Sequence, residues 1–289
     1  NSWEYDSEYH ADGGYTVTYG EETYTVAAGQ SATLSTGDTV TATITAKVKN
    51  VADTIPGNNE IVTLVIENED QYENIETEAG TLTITQKPVT ITADSASREY
   101  DGTELTKNSY TSDELADGDT YASVTVTGTI TEVGTEDNVP SDAKIVDGDE
   151  DVTANYDITY VNGELEITQS TKELKVVANS NSWEYDSEYH ADGGYTVTYG
   201  TESYTVAAGE SATLKNGDKV TATITKQVKN VADTATDNNV IVTLVVEHED
   251  QYETITKVPG TLTITEKPVT ITADSAQKQY DGTALTKNS

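Results

Sequence analysis

Apolar and polar residues alternate along this chain with a period of two. Threonines separate Val40, Ala42 and Ile44, and likewise Leu82 and Ile84, Val89 and Ile91, and Val124 and Val126, while Glu166 separates Leu165 and Ile167. Gly, Asn and Asp punctuate the runs. Alternation rich in Val, Ile and Thr predicts strands with one buried face. A helical period is nearly absent. The one short helix the pattern predicts covers 112–116 (SDELA), with Ser112 or Asp113 as N-cap and Gly118 beyond its end. The expected fold class is mainly β with little helix.

The pattern also repeats. The twenty residues NSWEYDSEYHADGGYTVTYG at 1–20 return letter for letter at 181–200, and SATLSTGDTVTATIT, TLTITQKPVTITADSA and YDGTELTKNS each have a near-copy 180 positions later. A fixed period of this kind is the mark of a modular architecture. Each period is itself double. Residues 87–169 and 170–266 carry the same signposts in the same order: an opening strand (PVTITA or ELKVVA), the triplet Glu-Tyr-Asp, a Leu-x-x-Gly-Asp turn and a closing strand. The predicted domains are a β module at 1–86 lacking its first strand, a second type at 87–169, a copy of the first type at 170–266, and the opening strand of a further second-type module at 267–289. Val89, Ile91 and Ala93 superpose on Leu174, Val176 and Ala178. The stretch 193–208 of the first type reads as an added hairpin. Junctions are short and two contain proline (QKP, QSTKE, EKP), so the modules are expected to stack head to tail as an elongated, semi-rigid rod.

The arrangement KPVTITADSASREYDGTELT, then LADGDTYASVTVTG, then DVTANYDITYVNGELEIT resembles the MBG (mostly beta-grasp) repeats of bacterial cell-surface proteins. The resemblance is close for 87–169 and for the tail from Lys267. It is weaker for 1–86 and 170–266, which lack the NYDITYVNG stretch. It implies β-grasp-like modules in a large secreted or cell-wall-anchored protein, and it carries over no catalytic residue.

Charge and composition narrow the partners. The formal net charge is -35, from 51 acidic and 16 basic residues. Such a chain repels nucleic acid and anionic membrane, so neither is an expected partner. No apolar run approaches the roughly 20 residues of a spanning helix. Cysteine and methionine, the side chains most easily oxidised, are both absent, which suits an extracellular, cell-surface or cell-wall location.

Candidate chemistry is sparse, and the chain is not expected to be an enzyme or to hold a cofactor. No nucleophile elbow or glycine-rich phosphate loop occurs. His10, His190 and His248 lack partners at zinc spacing and read as turn residues. Asp147, Asp149 and Asp151 flank Gly148 and could wrap Ca²⁺, though the spaced distal Glu of an EF-hand loop is missing. Tyr195, Tyr199 and Tyr204 of the hairpin, with their copies Tyr15, Tyr19 and Tyr24, are the candidate contacts for a host glycan or protein. Val269, Ile271 and Ala273 repeat the inward positions that the first module lacks. They form a candidate donor strand for head-to-tail self-association. The expected function is a stalk that projects a tip from the cell wall, with neighbouring repeats as principal partners. The alternatives are an adhesin whose repeats bind host molecules directly and a strand-complemented fibre.

Overall fold

The computed structural model describes residues 1–286. It is mainly β, as the alternation predicts, and contains no α-helix among the described residues; 3-10 turns stand at Val51–Asp53, Glu69–Gln71, Thr153–Asn155, Val231–Asp233 and Glu249–Gln251. The predicted helix at 112–116 does not form. Tyr110–Ser112 is a strand, and Asp113 is tied to Thr90 twice, its N–H donating to the Thr90 carbonyl (3.1 Å) and its carboxylate accepting from the Thr90 N–H (2.8 Å). Five residues cannot nucleate a helix against such a ladder.

The chain divides into two compact units, Asn1–Arg98 with Glu104–Ile167, and Glu99–Thr103 with Thr168–Ser289.

In the first unit, the strand Lys87–Ala93 lies between Tyr110–Ser112, antiparallel, and Tyr156–Val161, parallel. A second sheet runs through Asp119–Thr127, Gly134–Asp147, Gly163–Thr168 and Ala96–Glu99. The core contains Val89, Ile91, Ile145 and Tyr156, and it continues without a break into Tyr5, Val48, Leu82 and Ile84 of the preceding module. Within this unit the two modules therefore share one apolar cluster. A separate cluster of the first module gathers Val26, Ala32, Leu34 and Val40.

In the second unit, Leu174–Ala178 is a central strand, antiparallel to Tyr195–Tyr199 and parallel to Ile255–Val258. Tyr195–Tyr199 and Glu202–Val206 form the added hairpin predicted for 193–208. Leu174, Val176 and Ala178 are buried, as are Val89, Ile91 and Ala93, so the superposition read from the sequence matches in burial and in pairing. Ser2–Glu4 and Asn181–Glu184 each lie parallel to the closing strand of their module.

The segment from Lys267 holds no strand among the described residues, and Val269 and Ile271 are 80% and 91% exposed. A lone strand has no ladder to hold it. The strands that flank Lys87–Ala93 have no counterparts after Lys267 in these 289 residues.

Candidate functional site

The recurring constellation is a tyrosine loop that plugs a tyrosine–carboxylate socket. The loops come from the Glu-Tyr-Asp signposts and a fourth variant, at Tyr5, Tyr100, Tyr185 and Tyr280. In each, the aspartate accepts a hydrogen bond from the N–H two residues on: Asp6 from Glu8, Asp101 from Thr103, Asp186 from Glu188 and Asp281 from Thr283, at 2.9–3.0 Å. The residue between has left-handed backbone (Ser7 φ 67°, Gly102 φ 76°, Ser187 φ 75°, Gly282 φ 79°), the conformation such a side-chain turn needs.

The sockets come from the Gly-Asp turns. Gly37, Gly118 and Gly217 have positive φ, and the aspartate that follows each accepts a 2.5 Å bond from a tyrosine late in the same module: Asp38 from Tyr72, Asp119 from Tyr156, Asp218 from Tyr252. In the first unit, Tyr5 is fully buried with its ring edge-on to Tyr156, 5.4 Å between centroids. Ser7 reaches Asp119 at 3.4 Å, and Val51 N–H donates to Asn155 Oδ1 at 2.9 Å. In the second unit, Tyr100 sits edge-on to Tyr252 at 6.1 Å and donates to both Asp218 oxygens at 3.1 Å. His248 Nδ1 lies 2.8 Å from the same carboxylate. Gly102 packs so tightly that a Cβ there would stand 2.0 Å from the Asn216 carbonyl oxygen. Asp38 and Tyr72 of the first module are only half-buried, and Tyr185 and Tyr280 are 37% and 95% exposed.

Burial, reinforced by the bond to the neighbouring carboxylate, pushes the Tyr156 and Tyr252 phenols well above the ordinary tyrosine range. Burial also raises Tyr5 and Tyr195. Their contribution to stability is complete below about pH 10, the unfolded value, and is lost as pH rises toward the folded values. Each such phenol should remove about 1.4 kcal/mol per pH unit above that point. Tyrosinate absorbance followed beside circular dichroism should show a group of the 18 tyrosines ionising only as the fold is lost. A single smooth titration near pH 10 with the fold intact would contradict this.

The other candidate residues serve elsewhere. Tyr195 and Tyr199 are buried, not exposed as a binding role requires. The Tyr195 hydroxyl donates to the Glu210 and Val220 carbonyls, and Tyr199 shares a bond with Ser170. Tyr204 and Tyr24 are half-buried and donate to Glu202 and Glu22, Tyr15 is half-buried, and Tyr19 is 37% exposed. These rings pack across and beneath the hairpins, as alternate tyrosines on a strand commonly do. The calcium candidates do not converge. Asp147 pairs with Lys49 at 3.1 Å, Asp151 with Lys144 at 3.6 Å, and Asp149 lies on the hairpin turn beside Gly148. No group of three His, Cys, Asp or Glu able to hold a metal occurs among the described residues. His10 and His190 stack on Trp3 and Trp183 and bond Asp6 and Asp186 at 2.9 Å.

Sequence reading registered the Glu-Tyr-Asp and Gly-Asp steps as punctuation and did not bring them together. The signal lies in the third member, a tyrosine 34 residues after the aspartate in the two first-type modules and 37 after it in the other. No family model and no curated protein matches this chain.

Proposed function

We propose that this chain is a non-enzymatic stalk segment of an extracellular bacterial surface protein, built from MBG-like modules, that holds a functional tip away from the cell wall. The observation that carries this reading is the reuse of one plug-and-socket device. Tyr5 packs edge-on against the Tyr156–Asp119 pair, with Ser7 reaching the carboxylate, and Tyr100 packs edge-on against the Tyr252–Asp218 pair and donates to its carboxylate. A stalk needs joints that resist bending, and a buried ring packed edge-on against another, with a socket carboxylate bonded to the plugging loop, gives a joint one preferred geometry. The high negative charge keeps neighbouring stalks apart. Short junctions give a head-to-tail array little slack.

The chain has no cysteine, so spin labels can be placed cleanly at Thr43→Cys and Thr223→Cys, exposed counterparts in the two copies. Electron–electron distance measurements should give one narrow distribution for the parent. The distribution should broaden when Tyr100→Ala is added. A broad distribution in the parent, or one that Tyr100→Ala leaves unchanged, would refute the stalk reading.

A further inference from the structure

Two Asn-Gly pairs occur in the chain, Asn162-Gly163 and Asn216-Gly217. In such a pair the glycine nitrogen has no side chain to shield it and can attack the asparagine side-chain amide. The fold treats the two pairs oppositely. Gly163 is buried at the start of a strand and paired with Asn138, and a Cβ on it would stand 2.5 Å from the carbonyl oxygens of Ala93 and Asp94. Its backbone has no room to turn. Gly217 sits at the exposed corner of the turn Leu214–Asp218, with φ 96°, and a Cβ there would meet nothing within 4 Å.

The Asn216 side chain is already folded back over this turn. Its Oδ1 accepts the Asp218 N–H at 3.2 Å, which brings the side-chain amide over Gly217. The same bond draws electrons from the amide carbon and is placed to stabilise negative charge on the oxygen as the nitrogen adds. Nδ2, the leaving group, donates to the Tyr252 hydroxyl at 2.7 Å and to Asp218 at 3.1 Å. One bond holds the reaction back. The Gly217 N–H donates to the Leu214 carbonyl at 3.0 Å and must be released before the nitrogen can attack. A bond in an exposed turn is among the least costly to open. The other two sockets carry no asparagine here. Thr36 of the first module reaches Tyr72 at 2.9 Å and Asp38 at 3.1 Å through its hydroxyl, and Asp117 precedes Gly118.

We propose that Asn216 is a self-modification site that ages to isoaspartate, and that this change unseats the Tyr100 plug. The Gly217 nitrogen bonds to Asn216 Cγ and gives up its proton. The Cγ–Nδ2 bond breaks, and Nδ2 leaves with a proton as ammonia, which closes a succinimide. Water then opens the ring. Cleavage on the Cγ side gives aspartate. Cleavage at the main-chain carbonyl gives isoaspartate, whose backbone is longer by one carbon. The turn accepts aspartate, since Asp117 occupies this place in the module at 87–169. It does not accept a longer backbone. The loop Glu99–Thr103 packs directly on the Asn216 main chain, where a Cβ on Gly102 would lie 2.0 Å from the carbonyl oxygen and 2.9 Å from the carbonyl carbon. An added backbone carbon moves that carbonyl, and the closest contact of the plugging loop goes with it.

Peptide mapping of the full chain, aged in its folded state at mildly alkaline pH, tests the site. Fragmentation that separates aspartate from isoaspartate reads the product, and hydrogen exchange over 99–103 reads the loop. Asn216 should convert at least about tenfold faster than Asn162, equivalent to about 1.4 kcal/mol less to open an exposed turn than a paired strand. Exchange over 99–103 should rise in step with the isoaspartate fraction. Asn216→Thr, which takes the residue of the first module's socket, should age without loosening the loop. Fresh Asn216→Asp should keep the loop protected, which assigns the release to backbone length. Conversion of Asn162 as fast as Asn216 would overturn the proposal, as would unchanged exchange in converted chains or a loosened loop in fresh Asn216→Asp.

Discussion

Gly260→Ala should destabilise the second unit by about 3 kcal/mol, while the same substitution at Gly80, its counterpart one repeat earlier, should leave stability almost unchanged. The Cβ at Gly260 would stand 2.1 Å from Asn179 O and 2.5 Å from Ala178 O, inside the 3.0 Å limit that real Cβ atoms respect. The atoms it meets are backbone in the central strand of a four-stranded sheet, so no rotamer change relieves the clash. Relief requires the strand to move off the Asn239 amide, which loses the bond to the Asn179 carbonyl as well. At Gly80 the nearest atoms belong to Asn59 at 3.7 Å, an ordinary contact. Thermal unfolding should show the second unit melting about 10 °C or more below the parent for Gly260→Ala and no comparable shift for Gly80→Ala. Equal effects at the two positions would mean that strand approach is not what requires the glycine.

That contrast shows what the sequence conveys and where it stops. Residues 80 and 260 both precede T-L-T-I-T; what separates them is the strand Leu174–Ala178, whose counterpart the module at 1–86 lacks. The alternation does reveal the strands: Val89, Ile91 and Ala93 are buried as their spacing predicts, and the hairpin at 193–208 forms where Tyr and Thr alternate. These are local properties set by the two-residue period. The joints are not local. Tyr100 and Asp218 lie 118 positions apart, and only a three-dimensional arrangement brings the phenol to the carboxylate. Burial of the hairpin tyrosines was illegible for the same reason. Tyr19 and Tyr199 sit in identical twenty-residue strings yet are 37% and 7% exposed, because the strand that covers the second comes from 174–178, outside the string. The run at 112–116 misled because its capping pattern is genuine while its aspartate is used by a neighbouring strand instead.

Asp218→Ala should cost about 3 kcal/mol and release the loop Glu99–Thr103, whereas Asp38→Ala should cost far less. Asp218 is 3% exposed and accepts from Tyr252 at 2.5 Å, from Tyr100 at 3.1 Å and from Asn216 at 3.1 Å. Removing the carboxylate strands two phenols away from water, and a buried donor without an acceptor carries its full desolvation penalty. Asp38 makes the same 2.5 Å bond to Tyr72, but both are half-buried, so water can take the place of the lost oxygen. Net charge sharpens the comparison. With a balance of -35, deleting any carboxylate relieves repulsion by a similar amount, so the difference between the two variants isolates the socket. Asp218→Asn, which keeps an acceptor oxygen but not the charge, should fall between parent and alanine. Denaturant unfolding gives the free energies, and hydrogen exchange at the Thr103 amide reports the loop. If Asp218→Ala matched Asp38→Ala in both measurements, the buried carboxylate would be a passenger, and the order of the loop Glu99–Thr103 would come from the ring contacts alone.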